Sequence, residues 1–141
     1  MFLLLGSLSF AAERPVKLQQ LPPAVRQTAA EQSKGATVRG YSKEVENGKT
    51  TYEVETVKDG KSRDVEIGED GKVTEVEQQV SLDSIPAAAR TALEKAAGAG
   101  KIVKVESVTS GSKVNYEAEI RTGKRRSEVQ VDANGQKQPE D

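Results

Sequence analysis

The chain contains no cysteine, no histidine and no tryptophan. Without cysteine there is no disulfide framework and no thiolate nucleophile, and that absence leaves the compartment open. Without histidine the commonest general base and a leading transition-metal ligand are both missing. Aromatic residues make up only 4%, three Tyr and two Phe. Phe2 and Phe10 both fall in the first ten residues, so the body of the chain builds its core without phenylalanine.

Charge of one sign is also lacking, with 21 basic against 22 acidic groups in 141 residues. Residues 13–80 carry 11 basic and 13 acidic groups, and residues 81–141 carry 10 and 9. Neither half is a basic module, and no net field points to nucleic acid or to an anionic membrane. A continuous apolar stretch occurs at the start, Met1-Phe-Leu-Leu-Leu-Gly-Ser-Leu-Ser-Phe-Ala-Ala12. It is too short to span a bilayer, and Ser9-Phe10-Ala11 fits a small-x-small cleavage site. It reads as an export signal without its basic lead, with a buried first strand as the alternative. The mature chain then begins near Ala12 or Glu13.

What the sequence does contain is a repeat. Lys49-Thr-Thr-Tyr-Glu-Val-Glu-Thr-Val57 returns 64 residues later as Lys113-Val-Asn-Tyr-Glu-Ala-Glu-Ile-Arg121. The same offset pairs Leu18 with Leu82, Pro22 with Pro86, Ala24 with Ala88, Val65 with Val129 and Gly71 with Gly135. Agreement of helix-start, core and turn residues in one register predicts two copies of one structural unit, 13–80 and 81–141.

Each copy opens on a helix. Residues 21–35 carry Pro in the first turn, Gly35 as a stop, Leu21, Val25, Ala29 and Gln32 on one face, and Leu18 as a staple at the entry. The second helix, 83–98, takes Asp83 or Ser84 as its N-cap and Gly98 as its end. Its buried stripe is Ile85, Ala89, Ala92, Leu93 and Ala96. Residues 13–20 read as an irregular lead. Alternating segments at 36–45, 50–58, 61–67 and 72–80 follow the first helix, separated by Asn47-Gly48, Asp59-Gly60 and Asp70-Gly71 turns. Segments 101–109, 113–122, 124–131 and a frayed 136–139 follow the second. The expected fold class is α+β, two tandem α-β-β-β-β repeats forming an antiparallel sheet with the helices packed on one face.

Leu21-Pro22 at a helix start, Tyr52-Glu53-Val54 on a strand and Val65-Glu66-Ile67-Gly68-Glu69-Asp70-Gly71-Lys72-Val73 make up a PepSY-like pattern. Repeated twice behind an export signal, it resembles the PepSY-like, β-lactamase-inhibitor-like (BLIP-like) exported proteins of bacteria. The resemblance runs from Leu18 to the C-terminus. It implies a periplasmic or secreted, non-catalytic module that binds a protein, in some relatives as an inhibitor of an enzyme. Gln136-Lys-Gln-Pro-Glu-Asp141 departs from it by lacking the usual apolar last strand.

Candidate chemistry is narrow. Serines have no base to activate them. Paired carboxylates can act as acid and base only in a cleft with one pKa raised, and carboxylates alternating along a solvated strand are expected to offer neither. Gly68-Glu69-Asp70-Gly71-Lys72 lacks the alternating oxygens of a calcium loop and reads as a hairpin turn. Lys124-Arg125-Arg126 is a short basic turn. Tyr52, Val54, Tyr116, Ala118 and Ile120 should face the helices, which sends Glu53, Glu55, Glu117 and Glu119 to the opposite face. Asp64, Glu66, Glu128 and Arg121 join them. This face is either an ordinary solvated sheet surface or a docking surface for a protein or peptide of the cell envelope. Its candidate residues are Glu53, Glu55, Glu117, Glu119 and Arg121, with Tyr41 near a hairpin edge. No catalytic, metal or cofactor residue is assigned. An envelope-structural role through sheet edges, and binding of a small ligand or cation by the acidic face, remain as alternatives.

Overall fold

The computed structural model describes residues 12–139. The N-terminal run read as an export signal lies outside the described residues. The first half comprises β1 (Ala12–Val16), a 3₁₀ turn (Leu18–Gln20), α1 (Pro23–Gln32), β2 (Thr37–Glu46), β3 (Lys49–Lys58), β4 (Lys61–Gly68) and β5 (Val73–Gln79). The second comprises a 3₁₀ turn (Leu82–Ser84), α2 (Ala87–Ala97), β6 (Lys101–Ser110), β7 (Lys113–Thr122), β8 (Arg125–Asp132) and β9 (Lys137–Gln138). The strands form one antiparallel sheet in chain order, a continuous meander.

Side-chain alternation divides this sheet into two faces. Leu21, Val25 and Ala29 pack on Tyr52, Val54, Val65 and Ile67. Ile85, Ala89 and Leu93 pack on Val105, Ala118, Ile120 and Val131. The β5–β6 ladder pairs Val76 with Thr109 and Gln78 with Ser107. Val76, which packs on the first cluster, therefore shares a face with Val105, which belongs to the second. Both helices lie on that side, as the repeat requires.

The copies match in detail. The β2–β3 register slips between Val38 and Gly40, and the β6–β7 register slips between Ile102 and Lys104, again 64 residues on. Gly71 and Gly135 both have positive φ, +84° and +80°. A Cβ on Gly71 would lie 2.9 Å from the Ala24 carbonyl oxygen, and one on Gly135 would lie 2.6 Å from that of Ala88. These turns therefore seat the first turn of each helix as well as reversing the chain. In the first copy Thr28 Oγ1 fastens the contact by donating to the Gly71 carbonyl at 2.6 Å.

Several local expectations are corrected. Residues 13–20 are not an irregular lead, because β1 pairs with β2 from Ala12↔Val45 to Val16↔Tyr41. Pro15 is tolerated there because β1 is an edge strand. β1 is the first copy's counterpart of the end of β5, since Ala12↔Val45 and Pro15↔Ser42 recur as Val76↔Thr109 and Gln79↔Glu106. Asp83 and Ser84 do not cap α2: they lie in the 3₁₀ turn, and the caps are Pro22 and Pro86, which have no side-chain donor or acceptor. Leu18 is exposed and staples nothing. Gly35 lies beyond the Ser33 cap, whereas Gly98 does end α2. Ala97, four residues after Leu93, packs on the core in place of the exposed Ala96. The last strand is the two-residue β9.

Gly71→Ala and Gly135→Ala should each lower stability by about 1–3 kcal/mol, combining positive φ with overlap against a helix backbone. Gly48→Ala and Gly60→Ala have positive φ and no atom near the added methyl group. Urea midpoints should fall further for the first pair, and equal losses in all four would show that the helix contact contributes nothing.

Candidate functional site

The register assembles the helix-free face residue by residue. Glu53 lies opposite Glu66, which lies opposite Glu75. Glu55 lies opposite Asp64, which lies opposite Glu77. β3, β4 and β5 thus carry two rows of three carboxylates. Directly opposite side chains stand about 5 Å apart at Cβ, and successive residues of one face about 7 Å apart. Glu13 and Glu44 extend the block over β1 and β2, and Glu106 and Glu117 over β6 and β7.

This face is not simply solvated, contrary to the expectation from alternation. Val108, Glu106, Asn115 and Gln130 lie on it and are 5%, 9%, 7% and 5% exposed. Burial without a covering helix comes from neighbouring side chains on adjacent strands, which stand close enough to cover one another. Glu75, Glu77, Lys104, Glu106, Glu117, Arg126, Glu128 and Gln130 line a depression of about 340 Å³.

Burial and crowding change the acids. Burial, reinforced by Asp64, Glu13, Glu55 and Glu66, pushes the Glu53 carboxyl up to about 8. Burial, reinforced by Glu106, Glu117, Glu53 and Glu75, pushes Glu77 up to about 8. Burial also raises Asp64, against an opposing pull from Lys104. Glu44 is raised by burial and then by Glu66 and Glu13. At neutral pH, Glu53 and Glu77 therefore hold protons.

The second copy treats the equivalent positions differently. Arg126 reaches Glu119 at 2.9 Å and Glu128 at 3.6 Å, and Arg121 reaches Glu119 at 3.9 Å. Gln130 replaces the acid found at Glu66 and donates to Glu117 Oε2 at 3.2 Å. Lys104 pairs with Glu106 Oε1 at 3.3 Å, leaving the buried Glu106 Oε2 without a hydrogen-bond partner. In the first copy, Val57 and Ser62 stand where these arginines stand. None of Glu53, Glu55, Asp64, Glu66 or Glu77 forms an ion pair among the described residues. Two triads, Glu13–Glu53–Glu55 and Asp64–Glu77–Glu106, have carboxylate oxygens within 4.8 Å of one another and could hold a hard cation.

Of the candidate residues, Glu53, Glu55, Glu117, Glu119 and Arg121 share the helix-free face, the first two in the block and the rest in the compensated half. Tyr41 stands apart, packed on the first core cluster from the helix side. Glu75, Glu77 and Glu106 were not singled out, although the β5 sequence Val73-Thr-Glu-Val-Glu-Gln-Gln79 carries the same alternation.

No family model and no curated protein matches the chain. Solved structures do. A candidate periplasmic protein of Bacteroides eggerthii is similar at 17% identity and TM-score 0.64, over 82% of this chain and 84% of that one. A DUF2874 family protein of Bacteroides uniformis is similar at 15% and 0.62, over 82% and 85%. A BLIP-like protein of Bacteroides fragilis is similar at 15% and 0.57, over 84% and 83%. At these identities the likeness shows a fold, the open antiparallel sheet with two helices on one side. Among the described residues no helix is long and apolar enough to cross a membrane.

A carboxyl raised from its ordinary 4.5 to about 8 makes the fold favour the protonated form. Its contribution is complete below about pH 4.5 and is lost as pH rises to about 8. Stability should therefore decline over that interval. Glu77→Gln should raise stability at pH 8 by about 1 kcal/mol, roughly 3 °C, and change little at pH 5. An equal shift in melting temperature at both pH values would contradict the assigned protonation.

Proposed function

We propose that the chain is an exported, non-catalytic binding protein that engages a protein partner through the helix-free face of its sheet. The observation that carries this reading is the asymmetry of the two faces. One is filled by helices, while the other presents crowded carboxylates over β1 to β8. Export is supported by the apolar start and by likeness to a candidate periplasmic protein. A non-catalytic role is supported by the lack of histidine and cysteine. The PepSY-like resemblance of the sequence adds an envelope enzyme such as a peptidase as the partner class, with inhibition as the outcome, and the likeness in fold to a BLIP-like protein supports that reading.

The sheet edges favour this over an edge-to-edge structural role. β1 is charged and carries Pro15, and the part of β8 that the two-residue β9 leaves open is the charged Arg125-Arg126-Ser127-Glu128, both devices that blunt strand pairing. Binding of a cation keeps one specific observation in its favour, the two carboxylate triads.

A photo-crosslinking amino acid placed at Glu128 on the helix-free face should yield protein adducts from an envelope extract. The same group placed at Glu31 on α1 should yield several-fold less. Equal yields, or more adduct from Glu31, would remove the docking face.

A further inference from the structure

At the C-terminal end of α1 a cavity of about 590 Å³ opens between the helix and the β3–β4 hairpin, on the opposite side of the sheet from the carboxylates. Its size lies within the range of about 300–1,000 Å³ found for small-molecule sites. Four cations line it, Lys34, Lys58, Lys61 and Arg63, against two acids, Glu31 and Asp59. None of the four cations forms an ion pair among the described residues.

Arg63 is held in place from two sides. Its Nη1 donates to the Gln32 carbonyl at 3.2 Å and its Nη2 to Gln32 Oε1 at 2.9 Å. The buried Thr56 hydroxyl donates to the Arg63 carbonyl at 2.6 Å. The guanidinium thereby offsets the free carbonyls at the end of α1, which would otherwise repel an anion. A guanidinium has five N–H donors, so three remain after the two bonds to Gln32. Lys58 reaches back to the rim, its Nζ 3.8 Å from the Cβ position of Gly35. A fixed fork beside flexible ammonium groups suits an oxyanion, phosphate or carboxylate.

The second copy closes the same place. Ile120 stands for Thr56 and Ala97 for Ser33, and both pack in the second core cluster. The loop after α2 lies directly on β7, where a Cβ on Gly100 would overlap Thr122 Oγ1 and stand 2.9 Å from Ile120 Cγ2. Its counterpart Ala36 carries a Cβ and lines the cavity. Lys34, Lys58 and Arg63 become Gly98, Thr122 and Ser127, while Lys61 keeps a basic counterpart in Arg125 and Lys95 replaces Glu31. The scaffold can therefore fill this space with apolar groups, and in the first copy it holds an opening lined by cations instead.

We propose that this cavity is a binding site for a small molecule bearing two or more anionic oxygen groups, phosphate or carboxylate. Glu31 and Asp59 in the same lining oppose an extended acidic segment, which would have to pass them, and favour a compact anion. The site is separate from the helix-free face, so the failure of either leaves the other standing.

The test titrates the full chain with inorganic pyrophosphate and, separately, with citrate, by calorimetry at low ionic strength. At least one should bind, pyrophosphate alone marking a phosphate ligand and citrate alone a carboxylate one. Lys58→Gln with Lys61→Gln should weaken that binding at least about tenfold, since two charge-assisted contacts are lost. Both lysines are exposed, so the fold is kept. Arg63 is left in place, because it also holds the end of α1. Ala36→Leu narrows the cavity with every charge retained and should weaken binding at least about fivefold. Lys124→Gln with Arg125→Gln makes the same charge change on the matching hairpin of the second copy and should shift affinity less than about twofold.

Absence of binding with both probes, equal weakening by the two hairpin variants, or full binding by Ala36→Leu overturns the proposal. So does binding of hexaglutamate when neither small anion binds, which would make the cavity a seat for a protein segment.

Discussion

Everything in this fold depends on seating a helix of ten or eleven residues against one face of a sheet that has few large side chains to offer. With no Phe or Trp in the body, burial of aliphatic groups and Tyr52 must do what aromatic bulk does elsewhere. The solution is close approach. Small residues at the helix starts, Ala24 and Ala88, lie against the backbones of Gly71 and Gly135, and the stripe is short. Volume is exchanged within the stripe between copies. The first pairs Val25 and Ala29 with Val54, and the second pairs Ala89 and Leu93 with Ala118, all nearly or fully inaccessible. Large and small residues have traded places on the same scaffold, which is the exchange a close-packed interior tolerates best.

Putting all helices on one side dictates the chemistry of the other. Strand alternation sends every second residue there, so the charges that a polar composition must place somewhere collect on adjacent strands. Burial then keeps water from screening them equally. The outcome is a surface whose acids range from paired, as Glu119 is with Arg126, to protonated, as Glu53 and Glu77 are at neutral pH. Two glutamates at matching positions of the repeat, Glu53 and Glu117, thus sit in different electrostatic surroundings. The neighbouring strands differ, not the residues themselves.

Much of the architecture was legible because hairpin turns and alternation are local signals. Asn47-Gly48, Asp59-Gly60 and the Tyr-x-Val strand place β2 to β4, and the 64-residue offset places their counterparts. β1 was not legible by itself: Ala12-Glu13-Arg14-Pro15-Val16 does not alternate cleanly and contains proline. Its signal was the offset, which maps it onto Val76 to Gln79. The helix caps were misread because Asp83 and Ser84 have capping chemistry, while the rigid Leu-Pro and Ile-Pro steps delay the helices by one turn. The face assignment of Glu53, Glu55, Glu117 and Glu119 followed from alternation, but their half-burial on a face without a helix did not. Burial there comes from side chains on neighbouring strands, which the residue pattern of one strand does not record.

The two copies have diverged unevenly, and the unevenness follows the faces. On the helix side the differences offset one another: Val25 and Ala29 against Ala89 and Leu93 keep a core filled. On the other side they do not: Glu66 against Gln130, Ser62 against Arg126 and Val57 against Arg121 each make the second copy more positive, while Ser42 against Glu106 makes it more negative. The two halves meet the same crowding differently: the first by protonating Glu53 and Glu77, the second by the ion pairs that Arg126 makes with Glu119 and Glu128 and Arg121 makes with Glu119.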